Sequence, residues 1–254
     1  MRAIKPELLG LRHDEPLAAG VVGAWGFGEG TGSLAADAGA DQHHGSITNA
    51  GNDGWGSFEV GGGVSLDGVD DYVALPSGLF LNRPAGTVLF LARSQPAGLG
   101  VQALVSDRNP SQEPFFEFGM YQTIGLILWI DDGKSEEVVL ATPVSFGSWM
   151  VASAEWGPGG KRIFLNGSLA AENVSFVGGT ASSGGSPALG RRINTRFLET
   201  DMALFVFWDR AIGAAAQADM AADPWRIFGQ TRGCRFVSSP VGAYVRTLGS
   251  VNSS

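Results

Sequence analysis

The sequence predicts an all-β domain, two antiparallel sheets packed as a sandwich, with one short C-terminal helix. Three observations predict it. The 254 residues include 38 glycines and only 17% charged residues, a mix that suits many strands joined by tight turns. Residues 64–75, VSLDGVDDYVAL, read as strand, turn, strand. Val64 and Leu66 alternate with Ser65 and Asp67, Asp67-Gly68 supplies turn chemistry, and Tyr72, Val73 and Leu75 resume the extended pattern. Residues 197–212 alternate cleanly, with Met202, Leu204, Val206 and Trp208 on one face and Ala203, Phe205 and Phe207 on the other. Two apolar faces predict a strand covered on both sides, by the other sheet and by a loop or neighbour.

The elements follow in order. Residues 1–19 form a polar arm with Pro6 and Pro16 and no amphipathic period, either a passive leader or an arm that docks on a neighbour. The main domain is placed at residues 20–228. It starts with GVVGAWGFGEGTG, where Trp25 and Phe27 sit two apart on a core-facing side. The glycine run is no phosphate loop, because no Lys-Ser/Thr follows and no helix starts there. SLAADAGADQHHGSI is a carboxylate-bearing turn loop. Its adjacent His43 and His44 point apart on an extended chain. With only His13 besides them, they fall short of the roughly three protein ligands of catalytic zinc.

Further strands are expected at 87–93 and 104–108, at Phe115-Phe116-Glu117-Phe118, and at 125–130, 136–142, 148–156 and 161–170. Asp131-Asp132-Gly133 and Asn166-Gly167 are hairpin turns, the second of type I′. GAAAQADMAA at 213–222 is the one convincing helix, ended by Asp223-Pro224. An extended tail runs over 229–254.

Several function classes are disfavoured. A formal charge of −8 argues against nucleic-acid binding. No apolar stretch reaches the roughly 18 residues of a membrane span, and residues 1–16 lack the apolar core of a signal peptide. A single cysteine, Cys234, excludes an internal disulfide. The two sequons at Asn166 and Asn173 are therefore read as incidental.

The chain resembles the laminin-G/pentraxin type of concanavalin A-like jelly-roll β-sandwich. DGVDDYV at 67–73, KRIFLNGSLA at 161–170 and FLETDMALFVFWDRAI at 197–212 carry the resemblance. AWGFGEGTG and the Asp37–Asp41 loop are similar to its opening segments. The resemblance implies either a structural calcium, with Asp37, Asp41 and Asp201 as its ligands, or an empty turn, since the family's usual asparagines are missing, with Ala40 and Gln42 in that region; calcium takes roughly six to eight oxygens. It also implies glycan binding, for which Trp55, Trp129 and Trp156 are candidate platforms because they lie near turns, although a tryptophan is more often a core residue than a platform. The superfamily includes glycosidases with an E-x-D-x-(x)-E strand. The nearest match is Glu199-Thr200-Asp201, with Ala203 and Leu204 where the partner Glu should stand, so no enzyme is expected. DPWRIF at 223–228 is similar to an ending found after such domains in bacteriophage proteins. The expectation is a non-enzymatic virion structural or decoration protein, with its arm and tail reaching other copies or other virion proteins. The alternative is a stand-alone carbohydrate-binding lectin module.

Overall fold

The computed structural model describes Lys5 and residues 10–50, 54–95, 100–108, 114–121, 125–131, 136–141, 144–175, 178–180, 185–193 and 195–229. The expected tail is described only at Gly229. In chain order the strands are β1 (Gly10–Leu11), β2 (Val21–Trp25), β3 (Leu34–Ala35), β4 (Gly45–Thr48), β5 (Trp55–Phe58), β6 (Gly61–Asp67) and β7 (Tyr72–Ala74). Then come β8 (Gly86–Ser94), β9 (Val101–Ser106), β10 (Phe115–Tyr121), β11 (Gly125–Asp131), β12 (Glu136–Ala141), β13 (Met150–Gly157), β14 (Gly160–Leu165) and β15 (Ser168–Asn173). The last are β16 (Ala188–Leu189), β17 (Arg191–Ile193), β18 (Arg196–Phe197), β19 (Glu199–Trp208), the helix α1 (Gly213–Ala222) and β20 (Phe228–Gly229).

Two antiparallel sheets form the sandwich. The first runs β15-β14-β13-β8-β19-β6-β5, with β2 pairing β19 beyond the end of β6. The second runs β12-β11-β10-β9-β16-β7-β4-β3. The strand–turn–strand stretch at 64–75 becomes β6 and β7, one strand in each sheet. Its corner is fixed by Asp67, whose Oδ1 accepts the Val69 N–H at 2.8 Å, and by Gly68 at φ +76°. Asn166 and Gly167 both have positive φ, as a type I′ turn requires. A Cβ on Gly167 would meet Ala221 Cβ at 2.8 Å, so this hairpin can lie close under α1 only with glycine there.

The main core lies between the sheets. Phe205 stacks between Trp25 and Phe90, and Phe80 stacks with Phe116 and Phe207 with Trp156. A second apolar layer covers the outer face of the first sheet. Leu89, Leu91, Val151, Leu204, Val206 and Trp208 meet Met220 of α1 and Trp225, Ile227 and Phe228.

The clean alternation expected at 197–212 is corrected here. A bulge between Met202 and Leu204 breaks the period, so Met202 faces the inter-sheet core with Phe205 and Phe207. Ala203 and Leu204 both join Val206 and Trp208 outside.

The arm at 1–19, where described, packs on its own domain. Gly10 and Leu11 pair with Gly229 and Phe228. Leu11, Leu17 and Ala18 pack against the second layer. Trp208 Nε1 donates to Leu17 O at 2.7 Å. Lys5 Nζ donates to Gly26 O and Gly62 O, the latter at 2.6 Å. DPWRIF likewise has an intramolecular task. Asp223 Oδ1 accepts the Trp225 N–H at 3.1 Å, and the three apolar residues that follow seal the sheet. Among the described residues no helix is long and apolar enough to cross a membrane.

Candidate functional site

The outer face of the second sheet carries a cluster of arginine, glutamate and aromatic side chains. Alternation places it there. On β10, Phe116, Phe118 and Met120 enter the core, which turns Phe115 and Glu117 outward; on β11, Leu126, Leu128 and Ile130 enter it, which turns Trp129 outward. Register sets Glu117 opposite Trp129. Along β9, Glu117 also faces Ser106, whose hydroxyl donates to Arg192 O at 3.4 Å. The β17–β18 hairpin pairs only with itself and lies against β9, bringing Arg191, Arg192 and Arg196 to this side.

Glu117 is the centre of the cluster. It is 0% exposed and sits between two guanidinium groups. Arg192 Nε donates to its Oε1 at 2.6 Å, and Arg108 Nη1 stands 3.9 Å from Oε2. Burial pushes the Glu117 carboxyl pKa up, while Arg192, Arg108 and Arg196 pull it back down. The Arg108 guanidinium lies 3.9 Å from the Phe115 ring centre and 4.9 Å from that of Trp129, and Arg192 lies 5.4 Å from Trp129. Trp129 is half-buried. Three buried atoms in the cluster, Glu117 Oε2, Arg108 Nη1 and Trp129 Nε1, make no hydrogen bond; the first two face each other as an ion pair at 3.9 Å. Further along the same face Arg191 lies 3.8 Å over Tyr72, whose ring meets Phe197. The arrangement offers an aromatic surface, guanidinium donors, and buried donor and acceptor atoms that make no hydrogen bond.

Of the three tryptophans expected as platforms, only Trp129 belongs to this face. Trp156 is corrected to the core: it is 0% exposed, stacks on Phe207 and donates to Arg83 O at 3.1 Å. Trp55 sits on β5 at the other edge of the sandwich, with Nε1 donating to Gly32 O at 2.7 Å.

The expected calcium ligands do not converge. The Asp37 carboxylate accepts from the backbone N–H of Ala24 and Gly39 at 2.7 Å and of His43 at 2.8 Å, so it anchors its loop to β2. Asp201 accepts from Arg93 at 2.7 and 2.9 Å and from Ser65 Oγ at 2.7 Å. Asp37 bridges to Trp25, which pairs with Phe205; Asp201 lies four residues further along β19, roughly 13 Å at about 3.3 Å per residue. Asp41 is exposed. These three residues do not fit one calcium ion. His44 Nδ1 accepts the Asp37 N–H at 3.1 Å, and His43 Nδ1 lies 3.0 Å from Val22 O, so both histidines serve the loop.

Among the described residues the acidic side chains close enough to share a cation are Asp67, Asp70 and Asp71. They are a turn network first: Asp67 accepts from Val69 and Asp70, and Asp71 accepts from Asp67 N–H at 3.2 Å. Burial, then the neighbouring carboxylates, raises the Asp71 pKa.

Sequence reasoning missed Glu117, Phe115, Arg108 and Arg192 as a group. The one signal was a glutamate inside the aromatic run Phe115-Phe116-Glu117-Phe118. Its arginine partners come from 9 residues before it and 75 after it, and only strand register joins them.

The sequence pattern of a family described as the Concanavalin A-like lectin/glucanases superfamily matches residues 67–216, more than half of the chain. No curated protein sequence matches the chain. Among solved structures, domain 4 of AbnA, a GH43 extracellular arabinanase from Geobacillus stearothermophilus in complex with arabinotriose, aligns with a TM-score of 0.63 at 15% identity, over 79% of this chain and 98% of that one. Trypanosoma rangeli sialidase in complex with the inhibitor DANA aligns at 0.59 and 12% identity, over 80% of this chain and 33% of the sialidase. A structure from work on botulinum neurotoxin type C, whose cell entry depends on interaction with two ganglioside molecules, aligns at 0.61 and 10% identity, over 81% of this chain and 51% of that one. The chain thus spans a third of the sialidase and half of the toxin chain, and the likeness is one of fold.

Proposed function

The chain belongs to the Concanavalin A-like lectin/glucanases superfamily, and from that premise we propose that it is a non-enzymatic carbohydrate-binding protein acting through the outer face of its second sheet. The observation that carries this reading is Trp129, half-buried on a sheet face and flanked by Arg108 and Arg192, with a buried glutamate behind it. Sugar rings bury their apolar faces on aromatic side chains, and their hydroxyls need donors and acceptors beside the ring. The arabinotriose bound by the arabinanase domain is in keeping with this.

The absence of catalysis is part of the proposal. Glycoside hydrolysis needs two carboxylates placed across the scissile bond. In the nearest sequence match, Asp201 is tied up by Arg93 and Ser65. Glu117, on the candidate face, is held by Arg192.

A glycan array followed by titration calorimetry tests the reading. Binding to at least one glycan, lost in Trp129→Ala and kept in Trp55→Ala, is the expected result. No binding to any glycan, or binding indifferent to Trp129, overturns it, and so does release of reducing ends from a bound oligosaccharide.

The narrower reading as a virion structural or decoration protein is favoured by one further observation. β1 and β20 pair on the covered side of the first sheet, away from Trp129, so Gly229 lies on the side opposite the proposed glycan face. Such a placement suits a protein attached by one side and displaying the other. Deleting 230–254 should abolish self-association or particle incorporation while glycan binding persists; an unchanged native mass and unchanged incorporation would count against it.

A further inference from the structure

We propose that the glycan is acidic: the cluster around Glu117 selects sugars that carry a carboxylate. The inference rests on the glycan-binding reading and adds the ligand's charge.

Charge is the first argument. The whole chain is acidic, with a formal charge of −8. Yet Arg108, Arg192 and Arg196 all act on the single carboxylate of Glu117. Asp107 and Asp131 lie at the ends of the neighbouring strands, and Asp107 accepts the Phe116 N–H at 2.6 Å, so it serves the turn into β10. Guanidinium groups collected at one place on an acidic protein favour an anion there.

Geometry is the second argument. Guanidinium meets carboxylate through paired N–H donors, a match no neutral sugar hydroxyl reproduces. Arg192 is spent in part on Glu117 Oε1, and its side chain is only 10% exposed. Arg108 is more open, at 22%, and lies across Phe115 and Trp129. It is the side chain a ligand seated on Trp129 meets first.

The third argument is a set of buried atoms that make no hydrogen bond. Glu117 Oε2 and Arg108 Nη1 face each other at 3.9 Å, too far for one, and Trp129 Nε1 lacks an acceptor. Buried polar atoms without hydrogen bonds are costly, so a cluster that keeps three is arranged for something that supplies those bonds. An acidic sugar does: its hydroxyl donates to Glu117 Oε2 and its carboxylate accepts from Trp129 Nε1. Arg108 must turn outward for this, which brings its guanidinium to the ligand carboxylate. A neutral sugar could satisfy the glutamate but would leave Arg108 facing water.

Matched ligand pairs test the proposal on the full chain. Calorimetry compares oligogalacturonate with its methyl ester, and sialyllactose with lactose. The acid of at least one pair should bind about tenfold more tightly or better, the scale of one charge-assisted hydrogen bond. The preference should shrink as sodium chloride rises. Arg108→Gln should bring the acid-to-neutral ratio towards one, with an unchanged melting temperature certifying the fold. Arg196→Gln, further from the aromatic floor, should lower the ratio less. Equal affinity for acid and neutral partners overturns the proposal and leaves the glycan-binding reading standing, as does a preference that survives both substitutions. A chain that binds no sugar overturns both.

Discussion

The two sheets of this sandwich turn opposite kinds of surface outward. The first presents Leu204, Val206, Trp208, Leu89 and Leu91, and its own chain covers them with α1, the first strand and residues 225–228. The second presents Phe115, Glu117 and Trp129, and among the described residues it covers them with arginine side chains. Both faces are apolar enough to need shelter from water. One gets a third layer of backbone and hydrocarbon, the other a layer of movable guanidinium groups. A backbone layer stays in place because its removal exposes large apolar area. A long charged side chain can swing aside at the cost of a rotamer change. On the proposed function, the sealed face belongs to stability and the arginine face to binding.

The strongest way to break this comparison is to open the sealed face. Trp225→Ala removes a side chain that is 3% exposed and lies against Phe228. It should cost about 3–5 kcal/mol in denaturant unfolding, with glycan selectivity unchanged wherever the protein is folded. Altered selectivity would mean that the faces are coupled.

Glu117→Ala tests whether the arginine face has a structural floor. It leaves the largely buried Arg192 guanidinium without its carboxylate, which should cost about 3 kcal/mol, and unlike Trp225→Ala it should also abolish binding. Trp129→Ala sharpens the division. It should lower stability by about 1 kcal/mol, because the ring is half-buried, while binding falls at least about tenfold.

The smallest effect is expected at Lys5, on the sealed side, 5.2 Å from the Trp225 ring. Burial lowers its pKa to about 8, with Glu29 opposing. Between that value and the ordinary 10.5, the unfolded chain holds a proton that the folded chain has released. Stability therefore rises with pH across this window. Lys5→Met should flatten the rise between pH 8 and 10, measured as urea midpoints. An identical slope in the variant would place the effect elsewhere.

Strands were legible wherever a local pattern was sufficient. Val64 and Leu66 against Ser65, Asn166-Gly167, and the alanine-rich run of α1 all adopt the predicted local structure. At β19 the pattern misled, because a bulge at Met202 needs only backbone geometry and leaves no mark in residue type. Trp156 was misassigned for a related reason. Nearness to a turn in sequence says nothing about the sheet face on which a ring lies, and here that face is the inner one.

By itself, then, the sequence determined the class of fold, the turns and the helix, since hydrophobic period, glycine and proline act within a few residues of themselves. Tertiary structure decided which charges meet. Asp37 and Asp201 carry the side chain calcium favours, yet each is held by donors from distant strands, and they stand apart. Glu117 and Arg192 are 75 residues apart in sequence and 2.6 Å apart in space. Electrostatic attraction falls with distance, and distance is set by register and by which loop folds over which strand.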